Sequence, residues 1–387
     1  MATRVSTVRV LVAPDSFKGS MDAAAAAEAI GSGWRAVRPL DEVLLMPQAD
    51  GGEGTLDAIA TAVPGSRVRD VGPVAGPDGR PVEGHWLELT DGTAVVELAL
   101  SSGLPLMSRL DPLGATTRGL GQVIAAALDA GATAVVIALG GSASTDGGSG
   151  ALRALGLEMF DAAGAPIADG GGALAGLARV DASLLRPPPA GGVRLLSDVT
   201  TPLLGPSGAA AVFGPQKGAS AAQVAELEAA LARWATVLST PHTPVLTDCP
   251  WNPERAGKMT ATPGAGAAGG TGYGFLAVWG AAIEAGAGAI AELTGFAAQA
   301  ASADVILTGE GRFDATSTRG KVVGNALSLT TKPGASRGIV VGNLADTPPS
   351  DVWAASLVEL AGSLETALDD PARWLYAAGI AAAQSLG

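Results

Sequence analysis

The amino-acid sequence predicts an α/β protein in which a doubly wound parallel sheet is accompanied by a second domain. Two observations predict it. Short apolar runs of the kind that form buried parallel strands recur along the chain, and helical patterns separate them, which is typical of a doubly wound sheet. The runs cover residues 8–12, 43–46, 134–139, 304–307 and 339–341, and the helical patterns cover 21–37, 55–63, 117–130, 275–293 and 321–330.

Two segments depart from this rhythm and predict the second domain. In residues 67–100, apolar and polar residues alternate on both sides of Asp91-Gly92, which predicts a β-hairpin. Residues 155–270 add a proline-rich linker, a strand at 193–196 and a helix at 221–238. We therefore expect one domain from residues 1–66, 113–150 and 275–387, a second from 67–112 and 151–274, and a ligand site in the cleft between them.

Length and charge exclude several classes of protein. The 387 residues are enough for two domains, and 24 basic against 37 acidic residues give a net charge of −13. Without a long basic run, this balance argues against partners such as nucleic acid or an anionic membrane. Residues 274–293 are apolar, but Glu284 and several glycines favour a buried helix over a membrane span. The absence of a secretory signal and the single Cys249 predict a cytoplasmic protein.

The inventory of reactive side chains favours phosphoryl transfer. The only histidines are His85 and His242, so a Ser-His-Asp mechanism or a zinc site is poorly supplied. No P-loop motif occurs, and the G-x-G-x-x-G match at 264–269 does not follow a strand, so a dinucleotide site is not expected. The remaining chemical groups are carboxylates, a few cations, hydroxyls and glycine-rich backbone. They suit phosphoryl transfer, because that reaction needs mainly positioning and charge neutralisation from the protein.

The most informative motif is the glycine-rich segment 140–150, which follows the apolar run 134–139. Bare backbone at the end of a buried strand can approach an anion closely, so this loop is predicted to bind phosphate. The alternative is a glycine turn that only closes the strand. Its Asp-Gly-Gly phrase, at Asp146, recurs at Asp50 and Asp169, which indicates several loops of one chemical type.

Charged residues follow the predicted strands. Asp15 and Lys18 come after the first strand and are expected in the ligand crevice, unless a nearby serine caps the next helix and Lys18 is merely solvated. Asp50 and Glu53 after the second strand suggest Mg²⁺, although Glu53 could instead stabilise a helix start. The loop 308–321 after the fourth strand combines acidic and basic groups, either for a ligand or as a local ion-pair network.

Assembled, these motifs closely resemble the bacterial glycerate kinase family. The resemblance covers nearly the whole chain in order and is carried by residues 13–20, 49–55, 140–143, 146–148, 197–200, 213–219, 263–270 and 308–314. It implies a flavodoxin-like domain interrupted by a second α/β domain, and ATP-dependent phosphorylation of D-glycerate to 2-phosphoglycerate with Mg²⁺. Ser144-Thr145 stands where relatives often have Thr-Asn, and Val341-Gly342-Asn343 replaces a more usual small-residue segment.

On this basis we expect a glycerate hydroxyl to attack the γ-phosphoryl group of ATP, with Asp198 accepting the proton. The alternatives are phosphorylation at oxygen 3, a kinase for another small hydroxy acid, and a non-catalytic sensor; a homodimer is the candidate assembly. The predicted site residues are Asp15, Lys18, Asp198 and Lys217 for catalysis, Gly140, Gly141, Ser142, Ser144, Gly266 and Gly269 for the nucleotide, Arg312, Asp314 and Arg319 for the substrate, and Asp50, Glu53 and Glu310 for the metal.

Overall fold

The computed structural model of the chain describes residues 7–17, 19–240, 250–318 and 320–387, so the predicted site residues Lys18 and Arg319, like His242 and Cys249, lie outside the described residues. The strands are β1 (Arg9–Pro14), β2 (Glu42–Leu45), β3 (Arg67–Ala75), β4 (Pro81–Glu88), β5 (Thr93–Glu97), β6 (Ala134–Ala138), β7 (Glu158–Phe160), β8 (Arg179–Asp181), β9 (Val193–Leu196), β10 (Ala282–Glu284), β11 (Val305–Phe313), β12 (Ser336–Leu344) and β13 (Trp353–Ser356).

Helices separate most of these strands. They are α1 (Ala23–Val37), α2 (Thr55–Ala62), α3 (Ala99–Ser102), α4 (Arg118–Asp129), α5 (Ser149–Ala154), α6 (Ala209–Phe213), α7 (Ala221–Leu238), α8 (Pro253–Lys258), α9 (Ala267–Trp279), α10 (Gly286–Leu293), α11 (Phe296–Ala300), α12 (Val322–Leu329), α13 (Leu357–Ala361), α14 (Leu364–Asp369) and α15 (Pro371–Leu386). The chain divides into two compact units: the first unit comprises Met1–Asp50, Asp57–Pro64 and Ala285–Gly387, and the second comprises Gly51–Leu56 and Gly65–Glu284.

The first unit is built on a five-stranded parallel sheet in the order β13-β12-β11-β1-β2. Counted along the chain within this unit, that is the order 2-1-3-4-5 of flavodoxin-like folds. Strand residues alternate between two cores: Val10 packs with α1 and α15, and its neighbour Leu11 packs with Phe296 and α12 on the opposite face. Apolar side chains on both faces explain why β1 appears in the sequence as a continuous apolar run.

The second unit contains a six-stranded mixed sheet in the order β10-β9-β6-β5-β4-β3. Strands β10, β9, β6 and β5 are parallel, and β4 and β3 continue the sheet in antiparallel pairing. The β4–β5 pair is the hairpin predicted around Asp91-Gly92, and α7 coincides with the helix predicted at 221–238. The predicted fold class, an α/β protein with a parallel sheet and a second, mixed sheet, is confirmed.

One strand was predicted in the wrong sheet. The apolar run 134–139 forms β6, but β6 pairs with β5 and β9, so residues 113–150 belong to the second unit. The fifth strand of the parallel sheet is instead β13, which the sequence analysis missed. The apolar pattern of a buried parallel strand shows that both faces are covered, but it carries no information on which strands lie beside it.

The prediction of one continuous helix at 275–293 was also wrong. Helix α9 ends at Trp279 and is followed by Gly280, whose positive φ of 63° is accessible to glycine and stops the helix. Strand β10 then pairs with β9 before α10 begins. Among the residues that the structure describes, no helix combines the length and hydropathy required to cross a membrane.

Candidate functional site

The first unit contains a cavity of about 310 Å³ at the carboxyl ends of β1 and β11. This is the point where the strand order of the sheet reverses, and open α/β sheets bind ligands at such a switch point. Asp15 directly follows β1, and its backbone N–H donates to the Gly309 carbonyl at 2.8 Å. Glu310 lies on β11, next to Gly309. The polar lining of the cavity consists of Asp15, Ser16, Ser20, Asp50, Glu310, Arg312, Asp314 and Lys321.

Glu310 is a buried carboxyl group of this cavity. Burial leaves it only 8% exposed and raises its pKa above the ordinary value, and the nearby Asp314 and Asp50 carboxylates act in the same direction. A hydrogen bond from Ser317 and the charge of Lys321 oppose this rise. Within the described residues, Glu310 Oε1 is buried and has no hydrogen-bond partner. A buried carboxylate oxygen of this kind needs a donor or a cation from a ligand.

The end of β11 and the start of α12 supply the cations of the cavity among the described residues. Arg312 is exposed. Asp314 accepts hydrogen bonds from the hydroxyl and the backbone N–H of Thr316 at 2.6 and 2.9 Å, and these lower the pKa of Asp314. Lys321 stands at the start of α12 and also lines the cavity. Lys321 belongs to the charged loop 308–321 that the sequence singled out, but it was not among the predicted site residues.

Part of the cavity lining is apolar. Leu364 and Leu368 lie one turn apart on α14 and remain 56% and 54% exposed. This surface, which we call the apolar wall, consists of Phe17, Leu357, Leu364, Ala367, Leu368 and Pro371. Most of it is more than 300 residues away from Asp15 in the chain, so no local motif could have predicted it.

In the second unit, the glycine-rich loop 140–150 follows β6 as predicted. Most of its first N–H groups are engaged: Gly140 donates to the Gly51 carbonyl at 2.9 Å, Ala143 to the Ser102 carbonyl at 3.0 Å, and Ser144 to the Ser142 hydroxyl at 3.2 Å. No acceptor within the described residues engages the N–H groups of Gly141 or Ser142. Two successive N–H groups, one on a glycine with a φ of 73°, therefore remain for an anion.

Beneath this loop lies a buried pair of opposite charges. Asp146 is fully buried and accepts four hydrogen bonds, from the backbone and hydroxyl of Thr117 and from the N–H groups of Gly148 and Gly150. Burial raises its pKa, and these hydrogen bonds act against the rise. Lys217 is 3% exposed and donates from Nζ to the Ser144 carbonyl. Burial lowers the pKa of Lys217 to about 8, against the attraction of Asp146.

Gly266 and Gly269 are used for close packing in the second unit. The Gly266 N–H donates to the Thr201 carbonyl at 2.9 Å, so it is not available to a phosphate. Gly269 has a φ of 65°, and a Cβ at this position would lie 2.1 Å from the Ser144 carbonyl oxygen. Only glycine permits this approach between the start of α9 and the glycine-rich loop.

Glu97 is a residue that the sequence analysis did not single out. It ends β5, is 2% exposed, and accepts hydrogen bonds from the N–H groups of Gly54 and Leu56, both at 2.9 Å. It therefore holds the segment 51–56, which contains Glu53. Glu53 itself is exposed, and so is Asp198, which follows β9 in the same unit.

The acidic residues do not form a complete protein-only metal site. Among the described residues, no group of three or more His, Cys, Asp and Glu side chains is arranged to hold a metal ion. Asp50 and Glu310 do line one cavity, and their charges interact. Magnesium commonly takes only one or two carboxylates together with water and substrate phosphates, so this pair fits such an ion.

Comparisons with known proteins agree with the resemblance. The model of the Glycerate kinase family matches residues 10–386. A glycerate kinase of Bacillus subtilis is 41% identical over 318 residues, which are 81% of this chain and 79% of that protein, and a glycerate 2-kinase of Escherichia coli is 39% identical over 84% of each. A crystal structure from Salmonella typhimurium LT2, assigned as a glycerate kinase 2, superposes with a TM-score of 0.81, 33% identity and 98% coverage of both chains.

Proposed function

Because this chain belongs to the glycerate kinase family and is an enzyme of the kinase class, we propose that it transfers the γ-phosphoryl group of ATP to the 2-hydroxyl group of D-glycerate. The observation that carries the proposal is the match to the family over residues 10–386, which includes both units. The relative named glycerate 2-kinase supports oxygen 2 as the acceptor. The products are 2-phosphoglycerate and ADP.

The transfer is direct. The bond between the γ-phosphorus and its bridging oxygen breaks as a bond to the glycerate oxygen forms, and the hydroxyl proton must leave. We assign Asp198 as the acceptor of that proton, since it is an exposed carboxylate at the carboxyl end of β9. General base catalysis by a positioned carboxylate contributes about 10² to 10⁴ in rate.

Anion binding is assigned to the glycine-rich loop. The N–H groups of Gly141 and Ser142, which have no acceptor among the described residues, are suited to an oxygen that carries negative charge during transfer. Lys217 is buried against this loop from a separate segment of the chain. Its Nζ donates to the Ser144 carbonyl, so its role in this proposal is to hold the loop, and the catalytic role that the sequence predicted for it stays a prediction.

Asp50 and Glu310 are the residues that would hold Mg²⁺, because Glu310 Oε1 is a buried oxygen without a partner in the described part of the chain. Magnesium bound there would neutralise charge on the phosphates of ATP. The roles of Lys18 and Arg319 in charge stabilisation and substrate binding, the cytoplasmic location and the homodimer stay predictions.

Phosphorus NMR tests the proposal most directly. Incubation with ATP, Mg²⁺ and D-glycerate is expected to produce ADP and a phosphomonoester whose proton coupling identifies oxygen 2. Absence of any phosphorylated acid would refute the activity, and esterification at oxygen 3 would refute the assigned position.

The matched variants are Asp198→Asn and Asp70→Asn. Asp70 is an exposed aspartate on β3 of the same unit and should tolerate the change. Asp198→Asn is expected to lower kcat by about 10² or more. Equal turnover by both variants would remove Asp198 from the reaction.

A further inference from the structure

The cavity of the first unit presents two kinds of surface, and D-glycerate accounts for only one of them. Its carboxylates and cations can bind a hydroxy acid. The apolar wall, formed mainly by leucines of α13 and α14 together with Phe17, faces the same space. Every carbon of glycerate carries an oxygen, so this substrate has no apolar surface with which to cover leucine side chains. A ligand with a flat apolar group would remove Leu364 and Leu368 from water.

The charge of the cavity also argues against glycerate as its main ligand. Among the described lining residues, the acidic groups Asp15, Asp50, Glu310 and Asp314 outnumber the cations Arg312 and Lys321. A lone carboxylate would enter a negative field, whereas a nucleotide arrives with its phosphates accompanied by a divalent cation that carboxylates attract.

The position and size of the cavity agree with a nucleotide. It lies beside the ends of β1 and β11, the switch point of a sheet with the flavodoxin-like strand order, where such folds hold a mononucleotide. Its volume of about 310 Å³ falls at the lower end of the range for sites that enclose a molecule larger than a three-carbon acid.

We propose that this cavity binds the nucleoside end of ATP, with the adenine base against the apolar wall and the phosphates toward Lys321 and Arg312. The inference rests on the proposed function, and it reverses one expectation from the sequence, which placed the glycerate carboxylate at Arg312. The buried Glu310 oxygen without a partner marks the polar end of the site, and the exposed leucines of α14 mark the end that receives the base.

Adenosine is the probe that separates this site from the reaction, since it lacks phosphates and needs no metal. Isothermal titration of the intact protein with adenosine is compared for wild type, Leu368→Asp and Leu360→Asp. Leu360 is 38% exposed on the neighbouring α13 and does not line the cavity, so it provides a matched control. Leu364→Asp is the second variant of the wall, should Leu368→Asp fold poorly.

Adenosine is expected to bind wild type and Leu360→Asp alike, and the wall variants about tenfold more weakly, because loss of one leucine contact costs about one power of ten in affinity. Steady-state kinetics provide the second measurement: the KM for ATP should rise about tenfold in Leu368→Asp while the KM for glycerate stays within about twofold.

Two results would overturn the proposal. One is that adenosine does not bind the wild type, or binds the wall variants equally well. The other is that the KM for glycerate rises in the wall variants while that for ATP does not, which would return the cavity to glycerate. If adenosine binding depends on Leu368 but no phosphate reaches glycerate, the nucleotide site stands and the proposed function fails.

Discussion

Lys217 gives the protein a stability that depends on pH in a defined window. Its amine is buried in the second unit beside Asp146, and burial lowers its pKa from 10.5 to about 8. Since each pKa unit corresponds to about 1.4 kcal/mol, the difference amounts to about 3 kcal/mol. Below pH 8 the amine is protonated in both the folded and the unfolded states, and the folded state carries this full cost of burying the charge.

Between about pH 8 and 10.5 the unfolded chain keeps the proton that the folded protein releases. The unfolded state then binds more protons, so the free energy of unfolding must rise with pH across this window. We expect the contribution of Lys217 to increase by about 3 kcal/mol from pH 7.5 to 10.5 and to stay constant above that.

Urea denaturation followed by circular dichroism at a series of pH values measures this rise. The comparison is between wild type, Lys217→Met and Lys258→Met; Lys258 is exposed on α8 of the same unit. At pH 7.5, Lys217→Met is expected to shift one unfolding transition along the urea axis. Since Lys217 lies in the second unit, that transition reports the unfolding of the second unit. Lys258→Met should follow the wild-type pH dependence, whereas Lys217→Met should lack the rise.

The conclusion depends on the slope with pH, which a packing defect at the mutated site does not change. If Lys217→Met and wild type gain the same free energy of unfolding between pH 7.5 and 10.5, the buried amine is not neutralised in that window. The account of the Lys217 and Asp146 pair given above would then be wrong.

Three further outcomes are expected. Glu97→Gln removes one of the two carboxylate oxygens that accept from Gly54 and Leu56, at a cost of about 1–3 kcal/mol. Deuterium exchange of the amides of residues 51–56 should therefore accelerate in Glu97→Gln and stay unchanged in the surface control Glu88→Gln. Equal exchange rates in the two variants would contradict the positioning role of Glu97. Gly269→Ala places a Cβ 2.1 Å from a carbonyl oxygen at positive φ and should lower Tm by several degrees, whereas Gly288→Ala, in open space, should not. Because burial raises the pKa of Glu310, this carboxylate takes up a proton as the pH falls, and the KM for Mg²⁺ should then increase. Glu310→Gln should abolish this pH dependence. If the variant keeps the wild-type pH profile of KM for Mg²⁺, Glu310 is not part of the metal site.

Some parts of the candidate site were predictable because they follow strands directly. Asp15 directly follows β1, and Glu310 comes one residue after the last β11 residue that pairs with β1; such positions of adjacent parallel strands meet at one edge of a sheet. Glu97 and the apolar wall were missed, because their relation to the site depends on chain segments that are distant in sequence. Lys321 was included in the charged loop 308–321 but was not selected as a site residue. The burial of Lys217 was also not predictable, since a lysine in a glycine-proline loop is ordinarily solvated.

Local pattern determined the α/β class, the hairpin around Asp91-Gly92, the helix at 221–238 and the presence of glycine-rich loops. These features depend on the periodicity of apolar residues and on the backbone freedom of glycine, both of which act over a few neighbouring residues. Only the tertiary structure decided that β6 belongs to the mixed sheet, that α14 and Asp15 line one cavity, and that Asp146 and Lys217 share a buried site. Strand neighbours, burial and pKa arise from packing between distant segments, and a local sequence pattern does not encode which segments meet.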